Sequence, residues 1–129
     1  MKINHVQHLA VNTKNIEESV AFYRDILGFT ETSRADMGDS ILVYMHVCGD
    51  TYMELFDLKG NVVDEDAAEN RRGLRHIAFD VDNLYEWNDF LKEKNIPFIL
   101  DVVEMPIIGK RAILVLDPNG TVVELCENL

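Results

Sequence analysis

The chain has 129 residues, enough for one ordinary domain with a real core. Its 23 acidic side chains outnumber 12 basic ones and leave a net charge of −11, which argues against a nucleic-acid backbone or an anionic membrane as partner. No apolar run is long enough to span a bilayer, Met1-Lys2-Ile3-Asn4-His5 lacks the apolar core of a signal peptide, and Cys48 and Cys126 form no metal-binding pair in sequence, so a cytoplasmic protein with reduced thiols is expected.

Residues 5–11 read as a strand, with Leu9 and Val11 on one face and Val6, His8 and Ala10 on the other. His5 points away from His8 by parity and is expected at the surface. Residues 16–27 read as an amphipathic helix, because Ile16, Val20, Tyr23 and Leu27 form one apolar stripe. Gly28 suits the position just past its end. A short strand at 29–33, a turn at 35–39, a strand at 41–47 and a hairpin turn at Gly49-Asp50 follow, leading into a strand at 51–58.

Residues 59–72 are polar, with Asp64, Glu65, Asp66 and Glu69 close together, and read as a solvated linker containing a short helical turn. A second strand–helix unit then begins at 74–81 and 84–94, with Leu84, Trp87 and Leu91 on one helix face. Asn95-Ile96-Pro97 closes that helix. Residues 98–103 extend, 106–110 form a loop, 111–116 a strand, Asp117-Pro118-Asn119-Gly120 a turn, and 121–126 the last strand.

The second half repeats the first. His8, Ala10, Asn15, Glu18 and Phe22 superpose on His76, Ala78, Asn83, Glu86 and Phe90 at one offset of 68 residues. Both Asn-x-x-Glu runs have the form of a capping box. A repeat of this kind implies two similar supersecondary units, with module 1 at 1–58, a linker at 59–72 and module 2 at 73–129 of a single domain.

The last strands match too, Tyr52-Met53-Glu54-Leu55-Phe56 against Val122-Val123-Glu124-Leu125-Cys126. Glutamate is depleted in strands, so its appearance in both copies needs a reason. By parity Glu54 and Glu124 share the face of His8 and His76, among Val6, Ala10, Tyr52, Phe56, Leu74, Ala78, Val122 and Cys126. One reading is four polar residues on a wet sheet face. The other is that ionisable groups in so apolar a setting are paired or bind a cation. Imidazole and carboxylate together suit Ni²⁺, Co²⁺, Zn²⁺, Mn²⁺ or Fe²⁺.

With these residues placed, the sequence resembles the vicinal oxygen chelate superfamily, which includes glyoxalases, bleomycin resistance proteins and dioxygenases. The resemblance covers essentially the whole chain. It implies an α+β fold of two βαβββ modules forming a curved mixed sheet around a metal. It further implies His8, Glu54, His76 and Glu124 as ligands of one divalent ion, nickel or zinc foremost. The His, Glu, His, Glu set is similar to that of bacterial glyoxalase I, a lactoylglutathione lyase. That implies a lyase or isomerase forming an enediolate or enolate from a small carbonyl substrate, with Glu124 as the base and Glu54 as its partner or as a spectator ligand. It also implies a homodimer.

Alternatives on the same scaffold are a methylmalonyl-CoA epimerase, which usually has glutamine where this chain has Glu54, an extradiol dioxygenase, and a non-enzymatic protein that sequesters an antibiotic. Asn12 and Leu58 depart from the pattern that holds glutathione. Arg34 and Arg111 are candidates to hold an anionic substrate, and Tyr52 and Phe56, flanking Glu54, are candidates to touch it.

Overall fold

The computed structural model describes residues 1–61 and 72–129. The chain divides into two compact units, Met1–Glu65 and Asp66–Leu129. The helical turn and solvated charge run expected in the linker fall on residues 62–71, outside the described residues.

In the first unit β1 (His8–Asn12) leads into α1 (Ile16–Ala21), which continues as a π-helical turn at Phe22–Ile26. β2 (Thr30–Asp36), β3 (Ile41–Cys48) and β4 (Thr51–Asp57) follow. The sheet order is β1-β4-β3-β2, with β1 parallel to β4 and the other neighbours antiparallel. The helix starts because the Asn15 Oδ1 accepts from the backbone N–H of Glu17 (3.0 Å) and Glu18 (3.1 Å). The Leu27 N–H donates to the Phe22 carbonyl at 3.2 Å, a wider ring than in an α-helix. That turn brings Phe22 into the core beside Val20 and Tyr23, which stacks on Phe29 with ring centroids 5.6 Å apart. Gly28 ends the helix at φ +79°, where a side chain would be strained.

Val11, Val43, Met45, Met53 and Leu55 are buried on the helix-facing side of this sheet. Alternation therefore sends their neighbours Ala10, Tyr44, Tyr52, Glu54 and Phe56 to the far face.

The second unit repeats the plan with β5 (Ile77–Asp80), α2 (Leu84–Glu93), β6 (Phe98–Met105), a 3₁₀ turn at Pro106–Ile108, β7 (Lys110–Leu116) and β8 (Val122–Asn128). Its order is β5-β8-β7-β6, again with the first and last strands parallel. Ile77, Leu84, Leu91, Ile113, Val115, Val123 and Leu125 make its core. Asp117 builds the final hairpin turn, its Oδ1 accepting from the N–H of Asn119 (2.8 Å) and Thr121 (2.7 Å). α2 ends at Asn95, which takes the left-handed conformation (φ +57°) in the place glycine fills in the first unit.

Three expectations change. Asn83 is not a second capping box: it sits at φ +56° and its side chain caps nothing. β5 is short, so His76 precedes its first residue and lies at the mouth of the strand. β6 runs two residues past its expected end at 103, to Met105.

Candidate metal centre

Parallel pairing of β1 with β4 sets Ala10 opposite Glu54 and His8 opposite Tyr52. His8 and Glu54 are thus diagonal neighbours on the far face, and Ala10 is the small residue beside Glu54 on β1. His8 Nε2 lies 3.6 Å from Glu54 Oε2. His8 Nδ1 lies 2.5 Å from Gln7 Oε1. An amide oxygen only accepts, so Nδ1 carries the hydrogen in this contact, which leaves Nε2 as the ring nitrogen facing Glu54. At 3.6 Å the two atoms are too far apart for a hydrogen bond. Their separation is slightly wider than the about 3.0–3.4 Å that metal bonds of about 2.1 Å put between neighbouring donors, so the pair would close by a few tenths of an ångström on one small cation.

The second unit carries the matching pair. Ala78 lies opposite Glu124, and His76 Nε2 is 2.9 Å from Glu124 Oε2. His76 Nδ1 is buried without a hydrogen-bond partner. Both glutamates are mostly covered, with side chains 15% and 16% exposed. Beside Glu124, burial first and then the carboxylate charge push the Cys126 thiol up, so it stays protonated at neutral pH. Carboxylates in such surroundings need a partner, and the imidazole–carboxylate donor set fits a divalent ion of the borderline class. Among the described residues no group of three or more His, Cys, Asp or Glu side chains stands together in metal-holding geometry. The candidate centre is therefore two half-sets, one His–Glu pair in each unit.

Tyr52 and Phe56 share the far face with Glu54 and are half-buried. Arg34 and Arg111 do not lie there. Arg34 is in register with the core residue Val43, and its guanidinium binds Glu17 of α1 and Glu31, with Nη2 3.1 Å from an oxygen of each. Arg111 bonds Glu127 (Nε to Oε1, 2.5 Å) and covers the ring of Tyr85 on α2 at 5.0 Å. Both arginines clamp sheet to helix, on the side away from Glu54 and Glu124. The reasons are local. A bulge between Glu31 and Ser33 reverses the face of Arg34, and Arg111 shares the parity of Ile113 and Val115.

Two residues of the far face escaped the sequence reading. Tyr44 lies opposite Glu54 and His46 opposite Tyr52. The alternation of Val43 and Met45 as core residues was the signal that places them.

A profile of the Glyoxalase/Bleomycin resistance protein/Dioxygenase superfamily matches residues 2–125. The uncharacterized protein YwkD of Bacillus subtilis is 32% identical, the alignment covering 98% of this chain and 99% of that one. Mitochondrial methylmalonyl-CoA epimerase of Mus musculus is 28% identical over 96% of this chain and 73% of its own length. The crystal structure of a glyoxalase family protein from Enterococcus faecalis superposes with a TM-score of 0.84 at 26% identity, covering 98% of this chain and all (100%) of that one. With two mixed four-stranded sheets of the same plan and a match along nearly its whole length, the chain belongs to the Glyoxalase/Bleomycin resistance protein/Dioxygenase superfamily.

Proposed function

We propose that this protein is a metal-dependent lyase or isomerase of the glyoxalase type, acting on a small carbonyl compound with a proton on the adjacent carbon. The observation that carries this reading is the repeated His–Glu pair, His8 with Glu54 and His76 with Glu124, each on the far face of its own sheet. His8, Glu54, His76 and Glu124 would hold one divalent ion, nickel or zinc first. Such an ion supplies Lewis acidity that stabilises negative charge developing on a carbonyl oxygen, an effect of several kcal/mol.

The chain's own residues do the rest. Glu124 accepts the carbon-bound proton on a carboxylate oxygen, with the apolar Val122 and Leu114 as its neighbours on the far face. Glu54 is its counterpart in the first unit and returns or relays the proton. Tyr52 and Phe56 cover the reacting end from solvent. The Gln7 contact keeps His8 in the tautomer that donates through Nε2.

A homodimer completes the proposal, because β1 and β2, and β5 and β6, are edge strands of their own sheets. The proposed compartment is the cytoplasm: Cys48 and Cys126 are free thiols, and among the described residues no helix is long and apolar enough to cross a membrane.

A second reading, an epimerase of an acyl thioester, is favoured by the methylmalonyl-CoA epimerase match. It uses the same proton abstraction. The two part on substrate. Nickel- or cobalt-loaded protein in deuterated buffer should exchange the C–H proton of a 2-oxoaldehyde–thiol adduct and carry it to product without oxygen. Exchange confined to branched acyl-CoA thioesters would favour the epimerase, and turnover that needs oxygen and Fe²⁺ would sink both.

A further inference from the structure

The far face of the first sheet sets two further aromatic side chains, Tyr44 and His46, beside Tyr52. Tyr44 lies directly opposite Glu54, and His46 directly opposite Tyr52. The Tyr44 and Tyr52 rings stand 5.3 Å apart at centroids, tilted by 41°. The His46 ring also stands 5.3 Å from Tyr52, inclined by 62°. All three are half-buried, neither sealed into a core nor fully in water. His46 is held in place by Nε2 donating to the Gly49 carbonyl at 2.9 Å, so it serves as a wall. Neither tyrosine oxygen is hydrogen-bonded among the described residues.

The second unit is an internal control. Its matching positions are Leu114 opposite Glu124 and Leu116 opposite Val122. The same strands therefore form with aliphatic side chains, and the sheet itself does not require the aromatic ones. Cross-strand aromatic pairs do stabilise a sheet, but a pair kept for that purpose does not have to stand beside Glu54. Charge narrows the occupant. Arg34 is on the helix-facing side, and Lys59 is engaged by Asp36 and the Gly38 carbonyl. Nothing cationic among these residues is turned toward the row to hold a phosphate.

We propose that Tyr44, Tyr52 and His46 form a subsite for a flat aromatic ring on the substrate, so that the substrate class is aryl-substituted carbonyl compounds rather than short aliphatic ones. The location rests on the metal-dependent reading above, since Glu54 marks where the reacting carbonyl would lie. Ring faces and edges at these spacings favour a third ring in offset or edge-on contact. The two phenol O–H groups are donors for oxygens on that ring.

The test uses benzoylformate and 2-oxobutyrate, 2-oxo acids of equal charge, titrated by calorimetry into the full chain with and without Ni²⁺. The aryl acid should bind at least ~10-fold more tightly than the alkyl one. Tyr44→Leu with Tyr52→Val installs the residues of the second unit and should shrink the ratio to within about 2-fold, with Ni²⁺ affinity unchanged. As a check that needs no variant, nuclear Overhauser contacts should join the benzoylformate ring protons to the Tyr44 and Tyr52 rings. A wild-type ratio near one, an undiminished ratio in the folded double variant, absent saturable aryl binding, or absent ring contacts would overturn the subsite. Ni²⁺ binding without aryl preference removes the subsite alone. Aryl preference without any Ni²⁺ affinity keeps the subsite and removes the metal reading.

Discussion

His76 Nε2 stands 2.9 Å from Glu124 Oε2, while the other nitrogen of the same ring, Nδ1, is buried with no partner. A half-buried imidazole with one buried nitrogen unpaired contributes little to folding, because the unmade hydrogen bond offsets what its packing gains. The arrangement suits a group kept for binding rather than for stability. His76→Ala in metal-free protein should therefore lower stability by no more than about 1 kcal/mol. The same substitution should abolish the stabilisation that a saturating divalent ion adds to wild type, about 2.7 kcal/mol at a hundredfold excess over Kd. Thermal unfolding with and without Ni²⁺ measures both.

The two helix starts should respond differently. Asn15→Ala removes the acceptor for two backbone N–H groups and should cost about 0.5–2 kcal/mol. Asn83 makes no cap and is held at φ +56°, so Asn83→Gly should be neutral or slightly stabilising through release of left-handed strain. Urea unfolding of the two variants decides this. Equal losses at both positions would mean that Asn83 caps α2 after all.

The Arg34 clamp should show in acid. Hydrogen bonds from the guanidinium, first among the causes, hold the Glu31 and Glu17 carboxyls below the ordinary glutamate range. A lowered acid contributes stability that is present above its unfolded value and lost as pH falls through the folded one. Arg34→Met should return both carboxyls toward about 4.3 and make the variant's stability less dependent on pH below that value. Carboxyl carbon shifts followed through a pH titration report it directly. KM for a turned-over substrate should stay within about twofold, as expected for a surface change away from the site.

Glu124→Gln keeps an oxygen donor but cannot accept a proton. With metal restored to full occupancy, substrate C–H exchange and turnover should fall together by at least the ~10²-fold typical of losing a general base. Wild-type exchange in a fully metallated variant would remove Glu124 from that role.

Much of this was legible in the chain because strand parity is a rigid code. Once Met53, Leu55, Val123 and Leu125 are read as core, Glu54 and Glu124 must face the other way, with His8 beside them. The same code, carried one strand further, places Tyr44 and His46. What defeated the reading were departures from regular geometry. The bulge before Ser33 turns Arg34 to the opposite face. The left-handed backbone of Asn83 removes a cap that the residue types alone suggest. The π-helical turn moves Phe22 into the core beside the Val20–Tyr23 stripe. None of these has a period of two or 3.6, so none leaves a mark in hydrophobic spacing.

The central claim is that the two His–Glu pairs hold a divalent ion. Calorimetric titration of Ni²⁺ into metal-free protein, wild type beside His76→Ala, tests it most directly. The expected result is about one ion per chain with affinity at least ~10²-fold weaker in the variant. Equal binding by the two proteins, or no binding by either, would contradict it.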